Sequence, residues 1–487
     1  MLKAKHIFLF VLLSFLVIQV PFLHADPHIN ISPDSRDAFT DEGLNTSQVI
    51  NKVNHGYFGL NECDNLIKTP LFSVWLFPVF TVFDTGMTTG RLWLLLGCLF
   101  MLLLASRSHE IMPYVLGLFI PIGLLQYHLF QYIHFTMAEM SACCLIILAI
   151  SRMLMFTQNQ KNIQLLQTAL LLWIAVGFKN QFAYVLLLLP AWVIIVQLIN
   201  GKLISRNTLK QLTITFFLLL LGALLYYLLW YLPVKETYDY VMADQAGNRF
   251  MPRNKWNPIL FEQAQKLLWS SYTKYLSLAF FTGLLLLIPN FVGSTNKIFK
   301  VLSLMSLCWA LLEIHKLGMW FLPSRYMSSL LFSWAFFAAV QFAWAIRNAL
   351  DYGWKSKIAA LVTLSVLILV SGMHVNGVRN LFKERSFVIY GINRKLARID
   401  FGKRPVAGPW APSLAKGSGA KIIPVWHGYF NDVKLFETHH PKIIISEPDE
   451  ADSGGAYRER GINLMEMADS AENVKIGKYT LIIYYLP

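Results

Sequence analysis

The sequence predicts a polytopic α-helical membrane protein with a small α/β domain in its C-terminal part. Only 14% of the 487 residues are charged, whereas charged residues make up roughly a quarter of typical soluble domains. Hydrophobic residues reach 55%, and the mean hydropathy is +0.48. The apolar residues are also clustered, since segments 211–232 and 357–373 carry almost no charge over most of a membrane thickness. This composition excludes a coiled coil, a disordered chain and a disulfide-stapled secreted fold.

Apolar runs along the chain predict about eleven membrane spans. They fall at 7–23, 91–105, 111–127, 139–156, 164–178, 180–199, 211–232, 275–290, 301–317, 326–346 and 357–373. Segment 70–83 is short and contains proline at both ends of its apolar core, so we interpret it as a juxtamembrane or re-entrant element.

The charge distribution predicts the orientation. The chain has 42 Lys and Arg against 28 Asp and Glu, a net charge of +14. With the N-terminus inside, most basic residues of the short connections become cytoplasmic, opposed there only by Glu110 and Asp351. We therefore expect a multi-pass protein of the cytoplasmic (inner) membrane, N-terminus inside and C-terminus outside, with membrane lipids rather than nucleic acid around it. The first apolar run also resembles a cleavable signal peptide, although a retained signal anchor is favoured.

Two domains follow from this topology. Residues 1–373 form the predicted transmembrane domain, in which the outer loop 24–90 carries an acidic motif. Residues 374–487 form a predicted extracytoplasmic α/β domain, because β-like apolar runs at 421–426, 442–446 and 479–486 alternate with Gly, Pro and charged turns.

The acidic motif of the outer loop is the pair Asp41-Glu42. It opens a predicted amphipathic helix, which we expect to lie on the membrane surface. The apolar positions of that helix are Leu44, Val49, Ile50 and Val53. A carboxylate held at this boundary is suited to reach the head of a lipid-linked substrate, while the plainer alternative is a solvated acidic loop.

Further charged and polar residues stand at predicted outward helix ends. They are Glu139, Lys179, Arg325 and Tyr326. Cations at this depth are suited to hold a phosphate. The alternative is that each is only an interfacial anchor whose charge reaches toward the lipid head groups.

Metal binding is weakly indicated. His128, His134 and Glu139 do not have the spacing of a zinc site. No cofactor is predicted, and a divalent-metal requirement stays open.

The order of the short motifs resembles the GT-C superfamily of membrane glycosyltransferases. It is most similar to the dolichyl-phosphate-mannose–protein mannosyltransferase-like group, which includes the bacterial lipid A aminoarabinose transferases. The motifs are Asp41-Glu42-Gly43, Lys68-Thr69-Pro70, Arg91, Glu139, Gly177-Phe178-Lys179, Pro323-Ser324-Arg325-Tyr326 and Gly408-Pro409-Trp410-Ala411-Pro412. The chain departs from the family pattern at Lys68-Thr69-Pro70, where Lys-Pro-Pro is usual, and at Glu139, where Asp is commoner.

The resemblance implies an inverting transfer of a sugar from a polyprenyl phosphate to a hydroxyl of lipid A, another glycan or a protein. Asp41 and Glu42 are then the catalytic candidates. Lys68, Lys179 and Arg325 are the candidates for binding the donor phosphate, while Glu139 and Tyr326 shape the site or contact the acceptor. The alternatives are a transporter or flippase of lipid-linked saccharides and a polymerase of them. The polar first loop and the outer domain favour the transferase, because a transporter usually places its polar residues at mid-membrane.

Overall fold

The structure, a computed structural model, describes residues 2–32, 35–60, 62–249, 256–293, 296–319, 322–351, 354–451 and 453–487. It divides the chain into two compact units. The first consists of Met1–Ile18, Leu95–Ile133 and Glu139–Leu381, and the second of Gln19–Leu94, His134–Ala138 and Phe382–Pro487.

Helices account for most of the described chain. The α-helices are Leu2–Gln19, Asp37–His55, Asn65–Lys68, Pro70–Val82, Met87–Ser106, Met112–Phe119, Tyr127–Tyr132, Ala138–Asn159, Asn162–Phe178, Leu188–Ile199, Arg206–Tyr226, Lys235–Arg249, Trp256–Trp269, Lys274–Gly293, Lys297–Glu313, Ser324–Asp351, Trp354–Lys383, Val388–Leu396, Ala411–Leu414, Leu435–His439, Gly455–Arg458 and Leu464–Met467. Short 3₁₀ or π turns extend several of them, at Val20–Phe22, Ile120–Leu124, Asn180–Leu187, Tyr227–Tyr231, Leu232–Val234 and Ile314–Gly318.

The predicted multi-pass α-helical membrane architecture is confirmed. Among the described residues, 9 helices are long and apolar enough to cross a membrane. The predicted spans at 111–127 and 164–178 form shorter apolar helices, Met112–Leu124 and Asn162–Phe178. Segment 70–83 is likewise a short helix, Pro70–Val82. The eleven predicted spans therefore correspond to the 9 long helices and two of the shorter apolar ones.

The first unit is built around the helix Ser324–Asp351, which is buried along almost its whole length. Trp334 stacks on Phe280 of the helix Lys274–Gly293, with ring centroids 4.1 Å apart. Small residues allow close approach elsewhere, since a Cβ on Gly123 would lie 2.7 Å from the Cβ of Ala335. This packing holds the middle of the helix, whose first turn carries Arg325 and Tyr326.

The second unit contains a five-stranded sheet, and the predicted β-like runs at 421–426, 442–446 and 479–486 account for three of its strands. Its strands are β1 (Val406–Ala407), β2 (Ile422–Ile423), β3 (Ile443–Ser446), β4 (Ser470–Ile476) and β5 (Tyr479–Tyr485). The strand order is β2-β1-β3-β5-β4, with β1 parallel to β2 and β3 and β5 antiparallel to β3 and β4. A two-residue turn joins β4 to β5, and its Gly477 has a φ of 58°, which glycine adopts at no steric cost.

The predicted boundary between residues 373 and 374 falls inside the helix Trp354–Lys383. The compact units separate instead between Leu381 and Phe382. The second unit also includes the first loop, Gln19–Leu94, so the acidic motif belongs to the same compact unit as the C-terminal sheet.

Candidate active site

The acidic motif lies on the helix Asp37–His55, which we call the acidic helix. This helix begins at Asp37, four positions before Asp41, and it ends at Gly56 with a φ of 86°. The expectation of a helix lying on the membrane surface is wrong, because nearly every residue from Asp37 to Asn51 is buried, polar side chains included. The helix packs inside the second unit against Pro70–Val82, Ala411–Leu414 and β2.

Glu42 is buried in a network of hydrogen-bond donors. Arg91 makes a bidentate contact with its carboxylate and donates from Nε to Oε1 at 2.8 Å and from Nη2 to Oε2 at 2.6 Å. The backbone N–H and the hydroxyl of Thr136 donate to Oε1 at 3.3 and 3.2 Å, and Lys416 Nζ lies 3.6 Å from the same oxygen. Burial alone would raise the pKa of Glu42, but the charges of Arg91 and Lys416 outweigh it and hold that pKa well below its ordinary range. Glu42 therefore stays ionised and is a poor proton acceptor.

Asp41 has a different environment from its neighbour. Its residue is half-buried rather than buried, and its backbone carbonyl accepts a hydrogen bond from Asn45 Nδ2 at 2.7 Å. Consecutive residues on a helix point about 100° apart, so the two carboxylates of the motif leave the helix in different directions. The Asp41 residue is thus less buried than Glu42 as a whole, although its Oδ2 atom is itself buried.

Lys68 lies on the short helix Asn65–Lys68, whose Leu66 N–H donates to Gln48 of the acidic helix at 2.8 Å. The Lys68 ammonium forms an ion pair with Asp64, four residues earlier. Asp64 Oδ2 also accepts from the hydroxyl of Tyr429 at 3.3 Å. The predicted phosphate ligand is therefore buried beside a carboxylate of its own unit.

The first unit brings together the other four predicted residues, which we call the cationic cluster: Glu139, Lys179, Arg325 and Tyr326. Lys179 Nζ lies 3.1 Å from Glu139 Oε1 and 6.0 Å from the ring centroid of Tyr326. Arg325 Nη2 donates to the Tyr326 hydroxyl at 3.1 Å, and its guanidinium lies over the Tyr326 ring.

Helix termini position each member of the cationic cluster. Glu139 lies in the first turn of Ala138–Asn159, where the helix dipole favours an acid. Lys179 follows directly on Asn162–Phe178 in extended backbone, and Arg325 lies in the first turn of Ser324–Asp351. Two cations, a phenol and the partly positive end of a helix are a combination suited to an anion such as phosphate.

Sequence reasoning missed a second buried network in the first unit. Glu313 lies 2.9 Å from Lys316 Nζ and accepts hydrogen bonds from Ser329 and Tyr184 at 2.7 Å each. Ionisable residues inside an apolar span often mark a functional site. Glu313 and Lys316 both lie inside the predicted span at 301–317, so the sequence did contain this signal. Lys416 was also missed, since nothing local marks a lysine that pairs with a carboxylate 374 positions away.

The described residues offer no built metal site. In the part of the chain that the structure describes, no group of three or more His, Cys, Asp or Glu side chains is positioned to hold a metal ion.

No family model matches the sequence, and no curated protein matches it either. Solved structures do match. The crystal structure of ArnT from Cupriavidus metallidurans bound to undecaprenyl phosphate is 12% identical, with a TM-score of 0.59 over 98% of this chain and 97% of that one. The same protein in the apo state is 13% identical, with a TM-score of 0.60.

The crystal structure of the Archaeoglobus fulgidus oligosaccharyltransferase in complex with Zn and sulfate is 11% identical, with a TM-score of 0.53. The match covers 92% of this chain and 69% of that one. The chain therefore shares the fold of these two membrane proteins, and the predicted resemblance is confirmed at the level of the fold.

Proposed function

We propose that this protein is a glycosyltransferase that moves a sugar from a polyprenyl phosphate to an acceptor hydroxyl. The observation that carries the proposal is the match to ArnT along nearly the whole length of both chains, in a structure that holds undecaprenyl phosphate. We further propose the predicted orientation in the cytoplasmic membrane, with the N-terminus inside and the C-terminus outside.

The cationic cluster binds the donor phosphate in this proposal. Arg325 offers a planar pair of N–H donors, and Lys179 offers a compact charge. Negative charge grows on the phosphate as the sugar departs, so these cations stabilise the transition state more than the bound donor. Glu139 holds the Lys179 ammonium in place through their ion pair, and the Tyr326 ring packs against the Arg325 guanidinium.

Lys68 is proposed as an additional ligand of the donor phosphate. Its buried ion pair with Asp64 limits its rotamers. A side chain already held in place loses less entropy when it binds.

Asp41 is the proposed catalytic base, and Glu42 is a supporting residue. The acceptor oxygen attacks the anomeric carbon while the bond from that carbon to the phosphate oxygen breaks. The acceptor proton passes to the Asp41 carboxylate, and the polyprenyl phosphate leaves with the electron pair of the broken bond. One such displacement inverts the anomeric centre. Glu42 is unsuited to accept this proton because Arg91 and Lys416 stabilise its charged form.

The test is sugar transfer by the purified protein in detergent, with a polyprenyl-phosphate sugar as donor. Asp41→Asn should lower kcat by roughly 10²–10⁴, the usual contribution of a positioned base. Asp84→Asn is the matched control, because Asp84 is an exposed carboxylate of the same first loop and should leave kcat unchanged. Wild-type turnover in Asp41→Asn would refute the assignment of the base.

The products separate the proposal from its rivals. A transferase releases the free polyprenyl phosphate and a glycosylated acceptor. A flippase would leave the donor chemically intact, and a polymerase would lengthen the saccharide on its lipid. Mass spectrometry of envelope glycans and polyprenyl-phosphate sugars in cells lacking this protein identifies both sugar and acceptor.

A further inference from the structure

The turn of the acidic helix that carries Asp41 meets the C-terminal segment 408–416, which we call the docking segment. Both lie in the second unit. A Cβ on Gly43 would lie 2.3 Å from the carbonyl carbon of Pro412 and 2.3 Å from the backbone nitrogen of Ser413. Rigid backbone on both sides of this contact leaves room only for glycine, which explains why the acidic motif ends in Gly43.

Ser413 adds a hydrogen bond to this contact. Its hydroxyl donates to the backbone carbonyl of Phe39 at 2.7 Å and approaches that of Thr40 at 3.2 Å. Those carbonyls are the two immediately before Asp41. Asn393 Nδ2 in turn donates to the carbonyl of Ser413 at 2.9 Å, so the docking segment is itself held in place.

Lys416 supplies the charged contact. Its Nζ donates to the backbone carbonyl of Glu42 at 3.3 Å and lies 3.6 Å from Oε1 of the same residue. The residue is 4% exposed. A buried lysine is costly to maintain, and this one donates to the backbone carbonyl of the residue directly after Asp41.

A further contact fixes the far end of the acidic helix. Asn51 donates through Nδ2 to the carbonyl of Ile422 at 2.8 Å and accepts from the N–H of Ile422 at 2.9 Å. The amide side chain thus pairs with the edge strand β2 as another strand would. The acidic helix is therefore held by the C-terminal residues at both ends.

We infer that the docking segment positions the catalytic carboxylate of Asp41, with Lys416 acting as a positioning residue through Glu42. This inference rests on the proposed function. The backbone on both sides of Asp41 is held by Ser413 and Lys416, and Gly43 sets how closely the segment approaches. The C-terminal residues accordingly control turnover, whereas binding of the donor phosphate depends on other side chains.

The experiment compares Lys416→Met, Lys416→Arg and Ser413→Ala in the full-length protein, in the same transfer assay. Lys416→Met should lower kcat at least tenfold while the KM for the donor changes less than threefold. Lys416→Arg should recover most of the lost kcat, because it restores the cation beside Glu42. Ser413→Ala removes one hydrogen bond and should lower kcat several-fold. This variant tests the same inference if Lys416→Met does not fold. Lys395→Met is the control, since Lys395 is exposed and pairs with Glu472 of the same unit, and its kcat should equal that of the wild type.

The outcomes separate this inference from the proposed function. Wild-type kcat in both Lys416→Met and Ser413→Ala, alongside an inactive Asp41→Asn, would overturn the positioning role and leave the base assignment intact. A fully active Asp41→Asn would overturn both. A loss in Lys416→Met that appears only in KM, or that Lys416→Arg does not restore, would also overturn the role of the Lys416 charge.

Discussion

Two buried acid–base pairs, Glu42–Arg91 and Glu139–Lys179, are built differently. Arg91 holds both carboxylate oxygens of Glu42 at 2.6 and 2.8 Å, and it also donates to the backbone carbonyl of Ala25 at 2.6 Å. Lys179 reaches Glu139 as a point charge, with 3.1 Å between Nζ and Oε1. The first pair fixes two chain segments through several directional bonds, while the second holds an ammonium on a flexible stem.

The difference indicates different tasks. A two-pronged arginine with further backbone acceptors restricts geometry, which suits a structural support for the acidic helix. A lysine ammonium can turn from a carboxylate toward an incoming phosphate without breaking the fold around it. We therefore expect the two pairs to respond differently when one partner is neutralised.

The largest expected effect is on stability, in the pair Glu42–Arg91. Arg91→Met should lower the free energy of unfolding by about 3–5 kcal/mol, because it leaves the Glu42 carboxylate buried without its main partner. Thermal or denaturant unfolding in detergent measures this. Arg91→Lys should lie between wild type and Met, since it keeps a charge and loses the two-pronged contact.

The control for Arg91 is the partly exposed ion pair Arg347–Glu110, in which Arg347 Nη2 lies 3.3 Å from Glu110 Oε1. Arg347→Met should cost about 0–1 kcal/mol, as exposed ion pairs usually do. Equal losses in Arg91→Met and Arg347→Met would show that the Glu42 network is not a structural support.

The next effect concerns catalysis, in the pair Glu139–Lys179. Lys179→Ala and Arg325→Ala should each lower kcat/KM by roughly 10²–10³, the usual contribution of one donor to a developing anion. Both should also raise the KM for the donor, because the phosphate is charged before the reaction begins. Arg347→Ala, at the other end of the Arg325 helix, should leave both constants unchanged.

Glu139→Gln sharpens the comparison further. The side-chain amide of this variant would still accept a hydrogen bond from Lys179, so kcat/KM should fall less than in Lys179→Ala. The same transfer assay measures both variants. A loss as large as that of Lys179→Ala would mean that Glu139 itself acts in the reaction, and the two pairs would no longer differ in the way proposed.

The sequence was sufficient to predict the membrane class, three of the five strands of the C-terminal sheet (β2, β3 and β5) and the residue types of the cationic cluster. These features depend on local composition or periodicity. Apolar runs define the long helices, and alternation between apolar runs and turns defines β3 and β5. Lys179 and Arg325 were found because a charged residue at the end of an apolar helix is conspicuous against its surroundings.

The burial of the acidic helix could not be predicted in this way. Asn45, Thr46, Ser47 and Gln48 make one whole turn of this helix polar, which by pattern alone indicates exposure. The structure buries that turn because the first three side chains donate to carbonyls of the helix itself and Gln48 bonds to the backbone of Gly59 and Leu66. Contacts between residues more than 350 positions apart leave no local signal, and for the same reason the pattern could not distinguish the roles of Asp41 and Glu42.

The smallest expected effect is the pH dependence that Lys416 confers on stability. Burial lowers the pKa of Lys416 to about 8 from its usual 10.5, although the Glu42 carboxylate partly opposes that shift. Between these values the unfolded chain binds more protons than the folded protein, so folding becomes more favourable as the pH rises through this window. Relative to Lys416→Met, which has no proton at this position, the wild type should gain about 1 kcal/mol of stability between pH 8 and 9. Glu42 and Arg91 are the charged groups that face Lys416, and the pKa of Glu42 lies far below this window, so its carboxylate leaves the difference unchanged. Unfolding of both proteins across pH 7–10 measures the difference, and parallel curves would show that the pKa of Lys416 is not lowered.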